Sequence, residues 1–195
     1  RYGLTIGEFA MMADRTLSLG ADLHIIPCEG WKRSMLWPET GRPWVKPSPS
    51  LIRFDSALLY SGTCLFEGTN LSGGRGTPTP FEIVGAPYIN DPASLADSMN
   101  KKKLPGVLFR PLHFTPDASK YRGVECGGVR MHITDRNAIR PVSLALTLLY
   151  EIKSLWHEDF GWSTPLPSET RPHIDLLGGD GQLRADRPLE ALLES

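Results

Sequence analysis

The chain has 195 residues, of which 41% are hydrophobic and 22% are charged, and its formal net charge is −1 at pH 7. This length suits one or two domains with a buried core, and the near-zero charge argues against a surface built to attract nucleic acid or anionic lipid. No apolar run approaches the roughly 20 residues that cross a bilayer. The three cysteines show no CxxC spacing, which argues against a disulfide framework or a zinc site.

The N-terminal segment predicts one helix and one short strand. Thr5 and Glu8 have the spacing of a capping box, and apolar residues follow at helical spacing. We therefore expect a helix over residues 6–19 that ends at Gly20, followed by a strand over residues 23–27. A helix that leads into a strand is half of an α/β unit, so we expect the remainder of that unit to lie upstream.

The rest of the chain predicts a mixture of helices and strands after an irregular, proline-rich connection over residues 31–54. We expect helices over residues 55–63, 92–103 and 141–155, strands over residues 81–85, 107–114 and 129–133, a loop over residues 162–172, and two short helices from residue 174 onward.

The stretch over residues 59–82 concentrates polar groups of the kinds that bind ligands. Its glycines at positions 73, 74 and 76 allow the backbone N–H groups to turn toward an anion. Arg75 offers a planar donor fork that suits a carboxylate or phosphate, and nearby hydroxyls can bind a sugar. A surface loop whose glycines only make turns is the simpler interpretation, and a site for a polar ligand is its competitor.

The sequence TCLFEGTNLSGGRGTPTPFEIVGAPYI, residues 63–89, resembles the signature of the NamZ-type exo-β-N-acetylmuramidases, a family of bacterial cell-wall hydrolases. Two positions depart from the family pattern, in which we expect Asn in place of Ser50 and a larger residue in place of Gly73. The resemblance continues in consistent order at residues 2–8, 44–50, 104–107, 120–121, 126–129, 134–135 and 174–178.

This resemblance implies a domain organisation. Family members pair a Rossmann-like domain with a smaller auxiliary domain, and their active site lies in the cleft between the two. The fold class we expect is α+β: an auxiliary mixed α/β domain preceded by the last helix and strand of a Rossmann-like domain. Residues 1–45 would be the C-terminal remnant of the Rossmann-like catalytic domain. Residues 46–195 would form the auxiliary domain and pack against the missing N-terminal domain.

The function that the resemblance implies is part of an exo-acting glycoside hydrolase. Such an enzyme releases N-acetylmuramic acid from the non-reducing end of peptidoglycan fragments during cell-wall turnover, in a secreted or periplasmic location. We expect no cofactor. The five histidines show no metal-ligand spacing, so we also expect no metal.

Glycoside hydrolysis usually needs two carboxyl groups that face the scissile bond. Glu8 has a structural explanation in the capping box, and Glu82, at the start of a strand, is expected to pair with an arginine. Glu67 lies between an apolar run and Gly68, where an ion-paired acid and a site acid are equally compatible with the sequence. We name Glu8 and Glu67 as catalytic candidates, while the resemblance implies that the main acids lie upstream.

Four residues are candidates for substrate binding. The resemblance implies a sugar with a lactyl carboxylate, for which Arg75 is the expected partner. Asn70 and Thr77 would bind hydroxyl or acetamido groups, and Tyr121 lies in a second matching segment.

Two other functions remain open. The chain could be a binding module that recognises a muropeptide without cleaving it. It could also bind an anion or phosphate through residues 73–76, although no strand–GxxxxGK[ST]–helix context supports that alternative.

Overall fold

The structure is a computed structural model that describes residues 3–165, 170–185 and 187–193. The chain divides into two compact units, Arg1–Val45 and Lys46–Ser195. Tyr2, in the first matching segment, lies outside the described residues, as do residues 166–169 of the predicted loop.

The N-terminal unit contains helix α1, Ile6–Leu17. The predicted capping box is confirmed: the Glu8 amide donates to Thr5 Oγ1 at 3.2 Å, and the Thr5 amide donates to Glu8 Oε2 at 2.7 Å. The predicted end at Gly20 is wrong, because Ser18 already adopts the left-handed conformation that closes the last turn. No residue of α1 is buried.

The predicted strand over residues 23–27 is also wrong, since no strand is assigned there. A strand needs a neighbouring strand for its backbone hydrogen bonds, and within the described residues none pairs with this segment. The proline-rich connection is irregular, as predicted, apart from a short 3₁₀-helix at Trp37–Thr40.

The C-terminal unit combines helices with a small antiparallel sheet, which confirms the predicted α+β class at this level. Its strands are β1 (Ile83–Ala86), β2 (Val107–Phe114) and β3 (Cys126–Ile133), in the spatial order β1-β3-β2. Its helices are α2 (Phe54–Thr63), α3 (Pro92–Lys101), α4 (Pro141–Leu155), α5 (His173–Gly178) and α6 (Leu189–Leu193).

Helix α4 runs through the core of this unit. Its residues Leu144, Leu148 and Ile152 are almost completely buried, which is the apolar stripe that the sequence predicts. Helix α2 approaches the start of α4 so closely that a Cβ atom on Gly62 would lie 2.0 Å from the Pro141 carbonyl oxygen. This close contact fixes the C-terminal end of α2, from which the candidate site continues.

In the C-terminal unit, three boundaries differ from the sequence prediction by two residues or more. Strand β1 starts at Ile83 because Phe81 has φ 66, a turn conformation that a strand cannot contain. Helix α3 ends at Lys101, and Lys103 has φ 52. Strand β3 starts three residues early, at Cys126, because Gly127 and Gly128 allow neighbouring backbone to approach where side chains would clash.

Candidate functional site

A cavity of about 470 Å³ opens beside the C-terminal end of α2 in the C-terminal unit. Its lining includes the apolar residues Leu71 and Phe81. Hydroxyl groups and four ionisable side chains also line it, a combination suited to a polar ligand with an apolar face. The ionisable residues are Glu67, Arg75, Lys120 and His173, and the hydroxyl residues are Thr63, Ser72, Ser119, Ser163 and Thr164.

Glu67 and Arg75 form an ion pair in this cavity. Arg75 donates to Glu67 Oε1 from Nε at 3.0 Å and from Nη2 at 2.5 Å. The guanidinium also stands 4.8 Å from the centre of the Phe81 ring, and Nη1 donates to Ser50 Oγ at 3.4 Å. Both charged side chains remain partly exposed, at 29% for Glu67 and 38% for Arg75. The pair is therefore oriented by its neighbours while water or a ligand can still reach it.

The backbone that carries Glu67 is a 3₁₀-helix, Cys64–Gly68, which follows α2 directly. It packs against α5 at a point where only glycine fits, because a Cβ atom on Gly68 would lie 2.7 Å from Ile174 Cα. Ser163 braces the same turn, since its hydroxyl donates to the carbonyl oxygens of Glu67 and Thr69 at 3.2 and 2.7 Å. Glu67 is thus presented by a turn with little freedom to move.

Lys120 lines the cavity but was not among the site residues predicted from the sequence. Its ammonium group donates to the carbonyl oxygens of Phe66 and Glu67, at 3.3 and 2.9 Å, and to that of Thr69. Burial lowers the pKa of Lys120 to about 8, and the Glu67 carboxylate opposes that shift. In the sequence, only its place in a matching dipeptide marks it.

Asn70 and Tyr121 hold the loop that borders the cavity. The Asn70 side chain accepts from the Tyr88 hydroxyl at 2.9 Å and from the Gly161 amide at 3.1 Å, and it donates to the Asp159 carbonyl at 2.7 Å. The Tyr121 hydroxyl donates to the Asn70 carbonyl at 2.6 Å, and burial raises the pKa of that hydroxyl. Neither residue lines the cavity itself.

Thr77 shapes the glycine-rich turn. Its hydroxyl donates to the Gly74 carbonyl at 2.7 Å and accepts from the Thr79 amide at 3.2 Å. The Gly76 carbonyl accepts from the Asp117 amide at 2.9 Å. Of the predicted site residues, the structure therefore places Glu67 and Arg75 in the cavity, while Asn70, Thr77 and Tyr121 bond to the surrounding loop.

Glu8 belongs to the N-terminal unit, whereas the residues that line the cavity belong to the C-terminal unit. Besides capping α1, its carboxylate accepts from Arg33 Nη2 at 2.5 Å. The Arg33 guanidinium and the Thr5 amide hold the pKa of Glu8 down at about 2. These contacts account for Glu8 as a stabilising residue of α1.

Glu82 is a structural acid, as the sequence predicts. Its buried carboxylate accepts from Arg53 Nε at 3.1 Å, from Ser56 Oγ at 2.7 Å and from Arg130 Nη2 at 3.3 Å. Two arginines and a hydroxyl thus neutralise and fix it between α2 and the sheet.

In the part of the chain that the structure describes, no three His, Cys, Asp or Glu residues come together in a way that could hold a metal ion. Within that part, every helix is too short or too polar to cross a membrane.

The chain is similar to proteins of one family along most of its length. Residues 58–188 match the family model for the C-terminal part of exo-beta-N-acetylmuramidase NamZ, and residues 1–55 match that for its N-terminal part. Peptidoglycan beta-N-acetylmuramidase NamZ of Bacillus subtilis (strain 168) is 39% identical over 184 residues, which cover 94% of this chain and 43% of that protein.

Two solved structures of DUF1343 family proteins from Bacteroides fragilis NCTC 9343 share the fold. One is 30% identical with a TM-score of 0.81, and the match covers 94% of this chain and 48% of that one. The other is 22% identical with a TM-score of 0.66 and coverages of 97% and 50%. The chain thus spans about half the length of these relatives.

Proposed function

The chain belongs to the NamZ family of exo-β-N-acetylmuramidases, and we propose that it forms part of a glycoside hydrolase that releases N-acetylmuramic acid from the non-reducing ends of peptidoglycan fragments. One observation carries this proposal. The segment with the family signature, residues 63–89, contributes much of the lining of a polar cavity in which Glu67 is held by Arg75. We further propose a secreted or periplasmic location, because peptidoglycan lies outside the cytoplasmic membrane.

The cavity supplies part of the machinery that glycoside hydrolysis requires. Two carboxyl groups normally flank the scissile bond, about 5 to 9.5 Å apart depending on the stereochemical outcome. Among the described residues that line the cavity, Glu67 is the one carboxylate. We propose that Glu67 acts on the bound sugar and that its partner acid comes from a Rossmann-like domain.

The N-terminal unit supports that domain arrangement. Several apolar residues of α1 are exposed in the described chain: Ile6 at 88%, Phe9 at 57% and Met12 at 46%. An amphipathic helix normally packs such residues against other elements. We propose that α1 is part of the Rossmann-like domain and that further elements of that domain cover these residues. In this arrangement Glu8 caps α1, and its direct role in catalysis remains a prediction.

Arg75 is the proposed partner of the lactyl carboxylate of the sugar. Its Nε and Nη2 groups already bond to Glu67, whereas Nη1 makes a long bond of 3.4 Å to Ser50. A second carboxylate would therefore approach first on the Nη1 side. Asn70, Thr77 and Tyr121 remain predictions as substrate contacts, and their bonds to the loop support a role in holding its shape.

The proposal is tested by release of N-acetylmuramic acid from a synthetic muramide, with a protein extended to the length of the relatives. Glu67→Gln keeps the shape of the side chain and its bond to Arg75 while it removes the ionisable group. We expect a loss of about 100-fold or more in kcat, the range that general acid–base groups contribute. Glu8→Gln serves as the comparison. An unchanged kcat in Glu67→Gln would remove Glu67 from the mechanism.

A binding module for muropeptides is the second candidate. The single carboxylate in the described cavity lining favours it for this chain taken by itself. It predicts saturable binding of a muramyl sugar without turnover in both the chain and its extended form.

A further inference from the structure

One lysine of the loop over residues 117–123 forms hydrogen bonds to the main chain around Glu67, residues 66–69, which we call the Glu67 turn. Lys120 Nζ donates to the carbonyl oxygens of Phe66, Glu67 and Thr69. An ammonium group has three N–H donors and no acceptor. All three donors are therefore directed at the short stretch of backbone that carries Glu67, and one of them bonds to the carbonyl of Glu67 itself.

The backbone on both sides of this lysine is strained. Ser119 has φ 67 and Tyr121 has φ 59, in the left-handed region that is unfavourable for a residue with a side chain. The Tyr121 hydroxyl is anchored on the Asn70 carbonyl at 2.6 Å. Strained residues persist where surrounding contacts determine them, and they cluster at functional sites. The contacts of Lys120 and Tyr121 thus hold a loop conformation that its own residues do not favour.

We propose that Lys120 is a positioning residue for Glu67: its ammonium fixes the main chain of the Glu67 turn, and with it the place of the Glu67 carboxylate in the cavity. This inference rests on the proposed function of the cavity. The role is distinct from that of Arg75, which contacts the Glu67 carboxylate directly.

The proton of Lys120 makes this device sensitive to alkaline pH. The ionisable groups that share its cavity are Glu67, Arg75 and His173. Desolvation lowers the pKa of Lys120 to about 8, although Glu67 opposes the shift. A neutral amine keeps two N–H donors and presents a lone pair that repels the third carbonyl oxygen. The Glu67 turn therefore loses one anchor as the pH rises through about 8.

The contribution of Lys120 to global stability rises with pH, whereas its hold on the Glu67 turn weakens. Because the pKa of Lys120 is lower in the folded protein than the ordinary 10.5, the unfolded chain binds more protons between about pH 8 and 10.5. Through this group, the free energy of unfolding rises with pH across that window. Deprotonation of Lys120 itself therefore does not lower the free energy of unfolding, and a loss of activity that follows this group would come from the local turn.

The kinetic test uses the extended protein that releases N-acetylmuramic acid, with Lys120→Met, Lys120→Arg and the control Lys101→Met from the exposed last turn of α3. We expect Lys120→Met to lower kcat roughly 10- to 100-fold with KM changed about twofold or less, the effect of a displaced catalytic group. Lys120→Arg stays charged across the measured pH range and should move the alkaline limb of the kcat profile to higher pH. Lys101→Met should match the wild type.

A second readout needs neither turnover nor a variant. In the wild-type chain, the backbone amide resonances of Gly68 and Thr69 should titrate with a midpoint of about pH 8, the pKa of Lys120. An extended wild-type protein that releases no sugar would contradict the proposed function. The amide titration would then still test whether Lys120 holds the Glu67 turn. Amides that do not titrate near this pH, or a Lys120→Met variant with unchanged kcat and alkaline limb, would overturn the proposal.

Discussion

Arg75 holds Glu67 through two donors on a single carboxylate oxygen: Nε lies 3.0 Å and Nη2 lies 2.5 Å from Glu67 Oε1. The pair is partly exposed in the cavity, so its net contribution to stability is small, about 1 kcal/mol or less. The main effect of the ion pair is on geometry. The planar guanidinium of Arg75 orients the Glu67 carboxylate, and the Phe81 ring packs against that guanidinium.

Replacing Arg75 with Ala should weaken muramyl substrates more than analogues that lack the lactyl group. The reason is that the variant loses the donors proposed to bind the lactyl carboxylate, a charge-assisted contact of about 1.5–3 kcal/mol. This corresponds to roughly a 10- to 100-fold loss in kcat/KM specific to the muramyl substrate. Equal losses for both substrates would show that Arg75 acts through Glu67 alone.

Replacing Glu82 with Gln should destabilise the C-terminal unit by roughly 3 kcal/mol in urea unfolding, because it leaves the guanidinium groups of Arg53 and Arg130 without their buried counter-charge. Asp55→Asn is the matched control. Asp55 also accepts two bonds from one arginine, Arg136, but that pair is more exposed and should contribute about 1 kcal/mol or less. Similar losses in the two variants would show that burial does not control the cost.

Replacing Gly76 with Ala should cost about 2 kcal/mol or more. Gly76 has φ 80, and a Cβ atom there would lie 2.3 Å from the Ala118 amide nitrogen. Gly73→Ala is the control and should change stability by less than about 0.5 kcal/mol, since its Cβ atom would meet only Phe81 Cδ1, at 3.8 Å. Thermal unfolding separates the two variants. Room at Gly73 is also consistent with the larger residue expected there from the family pattern, and a large loss in Gly73→Ala would contradict this account.

Asp175 should titrate below the ordinary range of an aspartate. Arg184 donates to both of its oxygens at 2.8 Å and lowers the pKa of the carboxyl from its usual 3.8. Because the folded-state pKa is depressed, the stabilising contribution is present above pH 3.8 and is lost as the pH falls through the folded-state value. Carboxyl ¹³C resonances measure this directly. In Arg184→Gln the pKa of Asp175 should rise, and an unchanged value would remove Arg184 as the cause.

Local sequence signals predicted the elements that depend on local physics. The apolar stripe of α4 and the Thr5–Glu8 capping box each lie within a few turns of helix, so spacing alone determines them. The strand predicted at residues 23–27 failed for the opposite reason. Its short apolar run is a local property, but a strand exists only where another strand supplies hydrogen bonds.

The candidate site was predictable in part. Glu67 and Arg75 are eight positions apart, and residue chemistry in one loop marked both as candidates. Lys120 lies 51 to 54 positions from the carbonyls that it binds, so only the folded chain shows the contact. Asn70 is a similar case. Its side-chain amide could bind a sugar hydroxyl, but in the structure it forms hydrogen bonds with Tyr88, Asp159 and Gly161.

The most direct measurement compares release of N-acetylmuramic acid from a synthetic muramide by this chain and by a version extended to the length of its relatives. The account predicts release by the extended protein and none by the chain alone, because Glu67 is the one carboxylate in the described cavity lining and hydrolysis needs two. Release by both would place a complete acid pair inside this chain and contradict the proposed division of catalytic groups. Binding of the muramide without release by the folded, extended protein would contradict the proposed hydrolase and support a binding module.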